Sequence, residues 1–227
     1  MAEQLKYMTG FGNEFETEAL PGALPIGQFT PQKVKYDLYT EQFSSTAFTA
    51  PRAANRRTWL YRLRPSVVQG DYIAIDNGLI RTAPITEAVT PPTMLRWNPV
   101  EIPTKPTDFL DGLVTMAANG SANGQSGIGI HVYVANKSMV DRYFYNADGE
   151  MLFVPQQGEL LLHTECGKLC VKPGEVAVIP RGMKFSVDLI QSTARGYICE
   201  NYGHALELAE RGPVGANGYA NDRDFQY

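Results

Sequence analysis

From Ile128 to Tyr202, apolar and polar residues alternate in short runs, each closed by a turn signal. The runs are Ile128–Ala135, Arg142–Tyr145, Met151–Pro155, Glu159–Thr164, Leu169–Val171, Val176–Ile179, Phe185–Leu189 and Arg195–Tyr202. Between them fall Asn146-Ala-Asp-Gly149, Gln156-Gln-Gly158, Cys166-Gly-Lys168, Lys172-Pro-Gly174 and Pro180-Arg-Gly182. A period of two sends successive side chains to opposite faces of a strand. Closely spaced short strands with glycine turns predict an antiparallel sandwich or barrel. Upstream, Thr58–Arg64 (TWLYRLR) predicts one more strand, and residues 36–50 predict irregular chain or short strands. Leu95–Pro103 reads as extended, but Pro99 and Pro103 lack the backbone donor that a central strand needs. Within Pro106–Met116, TDFLDGLVTM predicts the best helix in the chain, with Thr107 as its N-cap and Gly112 weakening it. Residues 1–35 hold no lasting period and predict an extended arm. Its Tyr7, Phe11, Phe15 and Leu20 need a surface to pack on. The domain reading is a single unit with an arm at 1–35, a β-rich core at 36–202 and a loop-like tail at 203–227.

Composition narrows the function. The chain has 227 residues, 44% hydrophobic and 19% charged, enough to bury a sizeable core. A net charge of −4 argues against a nucleic-acid partner. No apolar run approaches a membrane span, and the N-terminus lacks a basic-then-apolar leader, so the expectation is a cytoplasmic chain. Cys166, Cys170 and Cys199 form no C-x-x-C pair and read as reduced core thiols.

Asp148–Leu189 resembles the core of a cupin barrel with its metal ligands removed. The second cupin motif runs Gly, five residues, Pro, one residue, Gly, two residues, His. Gly174, Pro180 and Gly182 keep that spacing, and Phe185 stands where the His belongs. Phenylalanine offers no lone pair to a metal. In the first motif, Tyr143–Asn146 replaces the H-x-H segment, and Glu150 is one residue off the usual spacing to Gly158.

The chain has three histidines, His131, His163 and His204. Two histidines and a carboxylate can hold non-haem iron. His131 and His163 fall on predicted strands, with Glu159 and Glu165 on the same side of their strand as His163. The competing reading is that each is an ordinary hydrogen-bonded strand residue. Asn119–Gly129 resembles a phosphate cradle only superficially, for it lacks the closing Gly-Lys-Ser/Thr. The basic run Arg52, Arg56, Arg57, Arg62 and Arg64, with Trp59 and Tyr61 between, reads on an acidic chain as a solvated face or subunit contact. No G-x-S-x-G nucleophile motif occurs.

Long segments, in order, closely resemble the N-terminal half of the homogentisate 1,2-dioxygenase family. They are Lys6–Gln28, Ala47–Val67, Leu95–Pro103, Gly127–Met139, Tyr143–Leu189 and Gly212–Phe225, with TGFGNEFE, PRAANRRTWLYR and GANGYANDRDF the most specific. The resemblance implies a mainly β, cupin-like jelly-roll. It also implies Fe(II) chemistry on homogentisate and O2, a maleylacetoacetate-type product, and a homo-oligomer, the family hexamer. In the family, the two His and one Glu that hold iron, and the presumed base, lie in the C-terminal half. The expectation is therefore no catalytic, cofactor-binding or metal residue on this chain, and a complementary C-terminal half as its partner. The rival expectation is a non-catalytic cupin-like interaction or assembly module. The chain departs from the family's pattern at Phe29, at Asp222 and through His204–Arg211.

Overall fold

The computed structural model describes Leu5, Tyr7, residues 20–23, residues 36–43, Pro51, residues 58–206 and Asp224. The chain divides into two units, one of residues 13–76 and one of residues 1–12 with 77–227.

In the first unit, β1 (Tyr39–Phe43) pairs antiparallel with β2 (Thr58–Arg62), with Glu41 opposite Leu60. Arg62 closes an ion pair on Glu41, and the Ser66 hydroxyl donates to the same carboxylate at 2.9 Å. The Ser66 backbone N–H, and then Arg62, hold the Glu41 carboxyl below the usual range. Arg62 of the basic run is thus spent inside its own hairpin. Arg52, Arg56 and Arg57 lie outside the described residues.

The second unit is two antiparallel sheets sharing one core. β3 (Leu113–Ala118), β4 (Ile128–Ala135), β10 (Ala194–Asn201), β5 (Glu150–Gln157) and β8 (Ala177–Ile179) form one sheet, in that order. β7 (Gly167–Val171), β6 (Leu160–Thr164) and β9 (Phe185–Leu189) form the other. β5 leads from the first sheet into β6 of the second, while β9 and β10 return beside them, a rolled ribbon. The strands expected from Ile128 onward are these, with ends shifted by one or two residues. The exception is Arg142–Tyr145, which contributes only an isolated bridge, Phe144 to Phe185, to the edge of β9.

The two inner faces interlock apolar rows from both sheets. Leu113, Met151, Phe153, Ile179 and Ile198 come from the first, and Leu160, Leu162, Val171, Phe185 and Val187 from the second. Phe185 is 0% exposed and meets Phe153 edge-on, with ring centroids 5.7 Å apart at 85°. Phe144 meets its other side, again 5.7 Å away, at 89°. Edge-to-face aromatic pairs add to the burial of apolar area.

The helix expected in Pro106–Met116 is absent. Asp108, not Thr107, acts as the cap: its Oδ1 accepts the N–H groups of Leu110 and Asp111, each at 3.0 Å. One turn closes with Gly112 N–H donating to Asp108 O at 2.9 Å, and the chain then enters β3. Register with β4 (Leu113 opposite Tyr133, Thr115 opposite His131) overrides local preference. The β-branched Val114 and Thr115 already favour that outcome. Asp108 is buried, and its Oδ2 also holds Arg142 at 3.0 Å. Asp108→Ala should therefore cost about 2 kcal/mol in denaturant unfolding. Asp108→Asn, which still accepts at Oδ1, should recover about half of that loss. An unchanged midpoint for the alanine variant would refute this assignment.

Candidate functional site

Two of the buried polar residues of the second unit, His131 on β4 and Glu200 on β10, meet on adjacent strands beside β3. On β10 the burial alternates strictly, so Ala194, Gly196, Ile198 and Glu200 face inward. Glu200 is therefore a carboxylate at a core position. Such a group is stable only if its lone pairs are filled. Oε2 lies 3.0 Å from His131 Nε2, and Oε1 accepts the Asn146 side-chain amide at 2.6 Å. Tyr202 approaches the same carboxylate, and burial, then the Glu200 charge, push its phenol up to about 12. The Tyr202 hydroxyl thus stays protonated and donates, while accepting the Ala83 N–H at 3.3 Å.

His131 is held from both sides. An ionised carboxylate only accepts, so Nε2 carries the proton facing Glu200. Nδ1 lies 2.9 Å from Thr115 Oγ1, a hydroxyl that also accepts the Arg81 N–H at 2.8 Å. With Nε2–H facing Glu200, Nδ1 is left to accept the Thr115 hydroxyl at 2.9 Å, and the same hydroxyl can instead donate to Arg81 O at 3.3 Å. Gly129, on the same inward row, leaves the room for this contact. A Cβ there would sit 2.8 Å from both Glu200 Oε2 and His131 Nε2.

The other candidate histidine is elsewhere. His163 lies on β6 in the second sheet, half-buried, with Nε2 2.9 Å from Asp188 Oδ2. Glu159 takes the Cys170 thiol at 3.8 Å, and Glu165 accepts the Lys184 N–H at 3.1 Å. His204 is exposed. Glu150 is buried and accepts the Leu206 N–H. The structure therefore does not bring His131 and His163 to one carboxylate; each has its own. Among the described residues, no three His, Cys, Asp or Glu side chains converge as a metal centre.

At Phe185, where the motif resemblance would put a His, the chain has a packed aromatic core. Gly174 and Gly182 make their turns at φ of 93° and 81°, which keeps the motif's backbone. Phe185 then points into a cluster with Phe109, Phe144 and Phe153. Iron needs imidazole or carboxylate lone pairs aimed into an open position. A closed ring cluster does not fit it, and the Glu200–His131 pair has its lone pairs committed. Sequence reading missed Glu200, Asn146 and Tyr202. The available signal was a carboxylate in phase with Ala194, Gly196 and Ile198.

Of the arm, Tyr7 is placed: its hydroxyl accepts the Cys170 N–H at 2.7 Å on the edge strand β7. Phe11 and Phe15 lie outside the described residues.

The family model described as homogentisate 1,2-dioxygenase N-terminal matches residues 6–227. Homogentisate 1,2-dioxygenase of Rhodopseudomonas palustris strain TIE-1 is 57% identical over 220 residues, 96% of this chain and 49% of the relative. The chain thus spans about half the length of the curated relatives it matches. Among solved structures, a cupin-2 domain containing protein from Shewanella frigidimarina is 19% identical, with a TM-score of 0.29 over 33% of this chain and 70% of that one. An RmlC-like cupin family protein from Methanocaldococcus jannaschii is 16% identical, with a TM-score of 0.30 over 33% of this chain and 70% of that one.

Proposed function

The chain belongs to the homogentisate 1,2-dioxygenase N-terminal family, and on that footing we propose that it is the N-terminal half of a ring-cleaving dioxygenase. The substrate class is a dihydroxylated aromatic acid, homogentisate, with O2 as co-substrate. Both oxygen atoms enter a maleylacetoacetate-type product as one ring carbon–carbon bond breaks. Fe(II) in such an enzyme supplies open positions for substrate and oxygen. Following the family resemblance, we assign the metal to the second half and no catalytic step to this one. A cytoplasmic homo-oligomer completes the reading. The observation that carries it is the 57% identity across 96% of the chain.

The role of this half follows from its chemistry. The close-packed aromatic core at Phe185 and the hydrogen-bonded cluster at Glu200 support reading this half as a scaffold. Rigid support is what holds a reacting geometry on a neighbouring domain.

The test is oxygen uptake with Fe(II) and homogentisate. The 227-residue chain alone should consume oxygen no faster than the protein-free mixture. The same chain joined to the second half of the Rhodopseudomonas palustris relative should turn over. Turnover by the short chain, or none by the joined one, overturns the proposal. The replacement of a metal ligand by Phe185 favours one second reading, a non-catalytic cupin-like assembly module. That reading requires a stable oligomer of 1–227 and a joined chain without turnover.

A further inference from the structure

Between Val68 and Leu113 the described chain carries no helix or strand, yet it is rich in large apolar side chains that face outward. In the second unit these gather on a strap between Ala83 and Pro103. Val89 is 94% exposed, Met94 102% and Trp97 55%, with Leu95 beside them. Scattered exposed apolar residues are ordinary, but four large ones within nine consecutive positions supply the side chains that a contact surface needs.

Both ends of the strap are fixed to the sheet. At its start, Thr115 N–H donates to Leu79 O at 3.1 Å, and Ala122 N–H donates to Ala83 O at 3.2 Å. The Tyr202 hydroxyl of the buried cluster takes the Ala83 N–H there. At its end, the Asn136 side-chain amide donates to Pro103 O at 2.6 Å and to Lys105 O at 2.9 Å. Asn136 Oδ1 accepts the Thr107 N–H at 2.7 Å. A segment anchored at both ends loses less entropy when it docks.

We infer that Val89, Met94, Leu95 and Trp97 form the docking strip for the second half of the full-length dioxygenase, an apolar surface on the same polypeptide. This rests on reading the chain as the N-terminal half. The occupant follows from length: relatives continue for about as many residues again, since the match covers 49% of them. A segment on the same chain is present at millimolar effective concentration, so it claims the strip ahead of a second copy.

Met94 supplies the probe, because thioether oxidation by peroxide follows exposure. In the 227-residue chain, Met94 should oxidise at the rate of an unfolded peptide. In the chain joined to the second half of the Rhodopseudomonas palustris relative, oxidation should slow on the order of 10-fold or more. The double variant Met94→Glu/Trp97→Glu in the joined chain should lower its melting temperature and restore fast hydrogen exchange over 84–102. An unslowed Met94, or a double variant as stable as its parent, overturns the inference. So does protection that rises with the concentration of 1–227 alone, which would make the strip a contact between copies. Oxygen uptake separates this from the functional reading: turnover with Met94 unprotected sinks the strip only, and protection without turnover sinks the reading only. Should the joined chain prove insoluble, hydrogen exchange on the relative's own full-length chain, over the segment aligned to 84–102, decides the same point.

Discussion

Gly112→Ala should abolish the folded second unit. A Cβ at Gly112 would lie 1.8 Å from the carbonyl oxygen of Val134 and 2.9 Å from its carbonyl carbon. Neither atom can swing aside, because both belong to the backbone of β4. The Gly112 carbonyl also accepts the Val134 N–H at 3.0 Å, so moving the strands apart breaks that bond. The contact comes just before β3 pairs, with Leu113 opposite Tyr133. The expected loss exceeds about 4 kcal/mol, the range reserved for severe backbone conflict and broken cores. Gly70→Ala is the control, since nothing lies within 4 Å of its Cβ position; it should change stability by less than about 0.5 kcal/mol. The comparison is soluble yield and the urea midpoint by circular dichroism. A Gly112→Ala protein that melts within a few degrees of the parent would show that β3 does not begin against Val134.

Glu200→Ala carries the second large effect, a loss of about 3–5 kcal/mol. It leaves His131 Nε2–H, the half-buried Asn146 amide and the Tyr202 hydroxyl without their carboxylate partner. Glu200→Gln separates charge from shape. Its oxygen can still take the Asn146 amide, but its NH2 group would face the His131 N–H. His131 must then carry its proton on Nδ1 and donate to Thr115 Oγ1, whose own proton turns to Arg81 O, 3.3 Å away. The glutamine variant should thus fold, with a smaller loss and a switched tautomer. Imidazole nitrogen chemical shifts read the tautomer directly. A Glu200→Gln protein that retains the Nε2–H form would break the proposed proton arrangement. One in which Glu200→Ala costs nothing would remove the cluster as a stabilising element.

The strands were readable because their signals are local. Alternation in Ile128–Ala135 and Arg195–Tyr202, and glycines at Gly158, Gly174 and Gly182, each report on a few neighbouring residues. The helix expected at Pro106–Met116 failed because its deciding contact is distant. Gly112 is there for the Val134 carbonyl, which nothing within the segment announces. Arg142–Tyr145 alternates like a strand but finds only the edge of β9, so it stays a single bridge. The candidate site was legible by half. His131 stood out as a rare residue on a strand, whereas Glu200, 69 positions away, becomes its partner only through the β4–β10 register.

The sequence by itself determined that the chain is an antiparallel β protein of this dioxygenase family, and that Phe185 stands at the His position of the cupin motif its spacing resembles. Those properties follow from periodicity, turn chemistry and long matched segments, all of which are written along the chain. The tertiary structure alone decided which face each strand buries. On β4 the inward row is Gly129, His131 and Tyr133 rather than the aliphatic Ile128, Ile130 and Val132. Alternation fixes that two faces exist but not which one meets the core. That choice was made by the partners across the sheet, a carboxylate needing an imidazole, and by the aromatic cluster closing over Phe185.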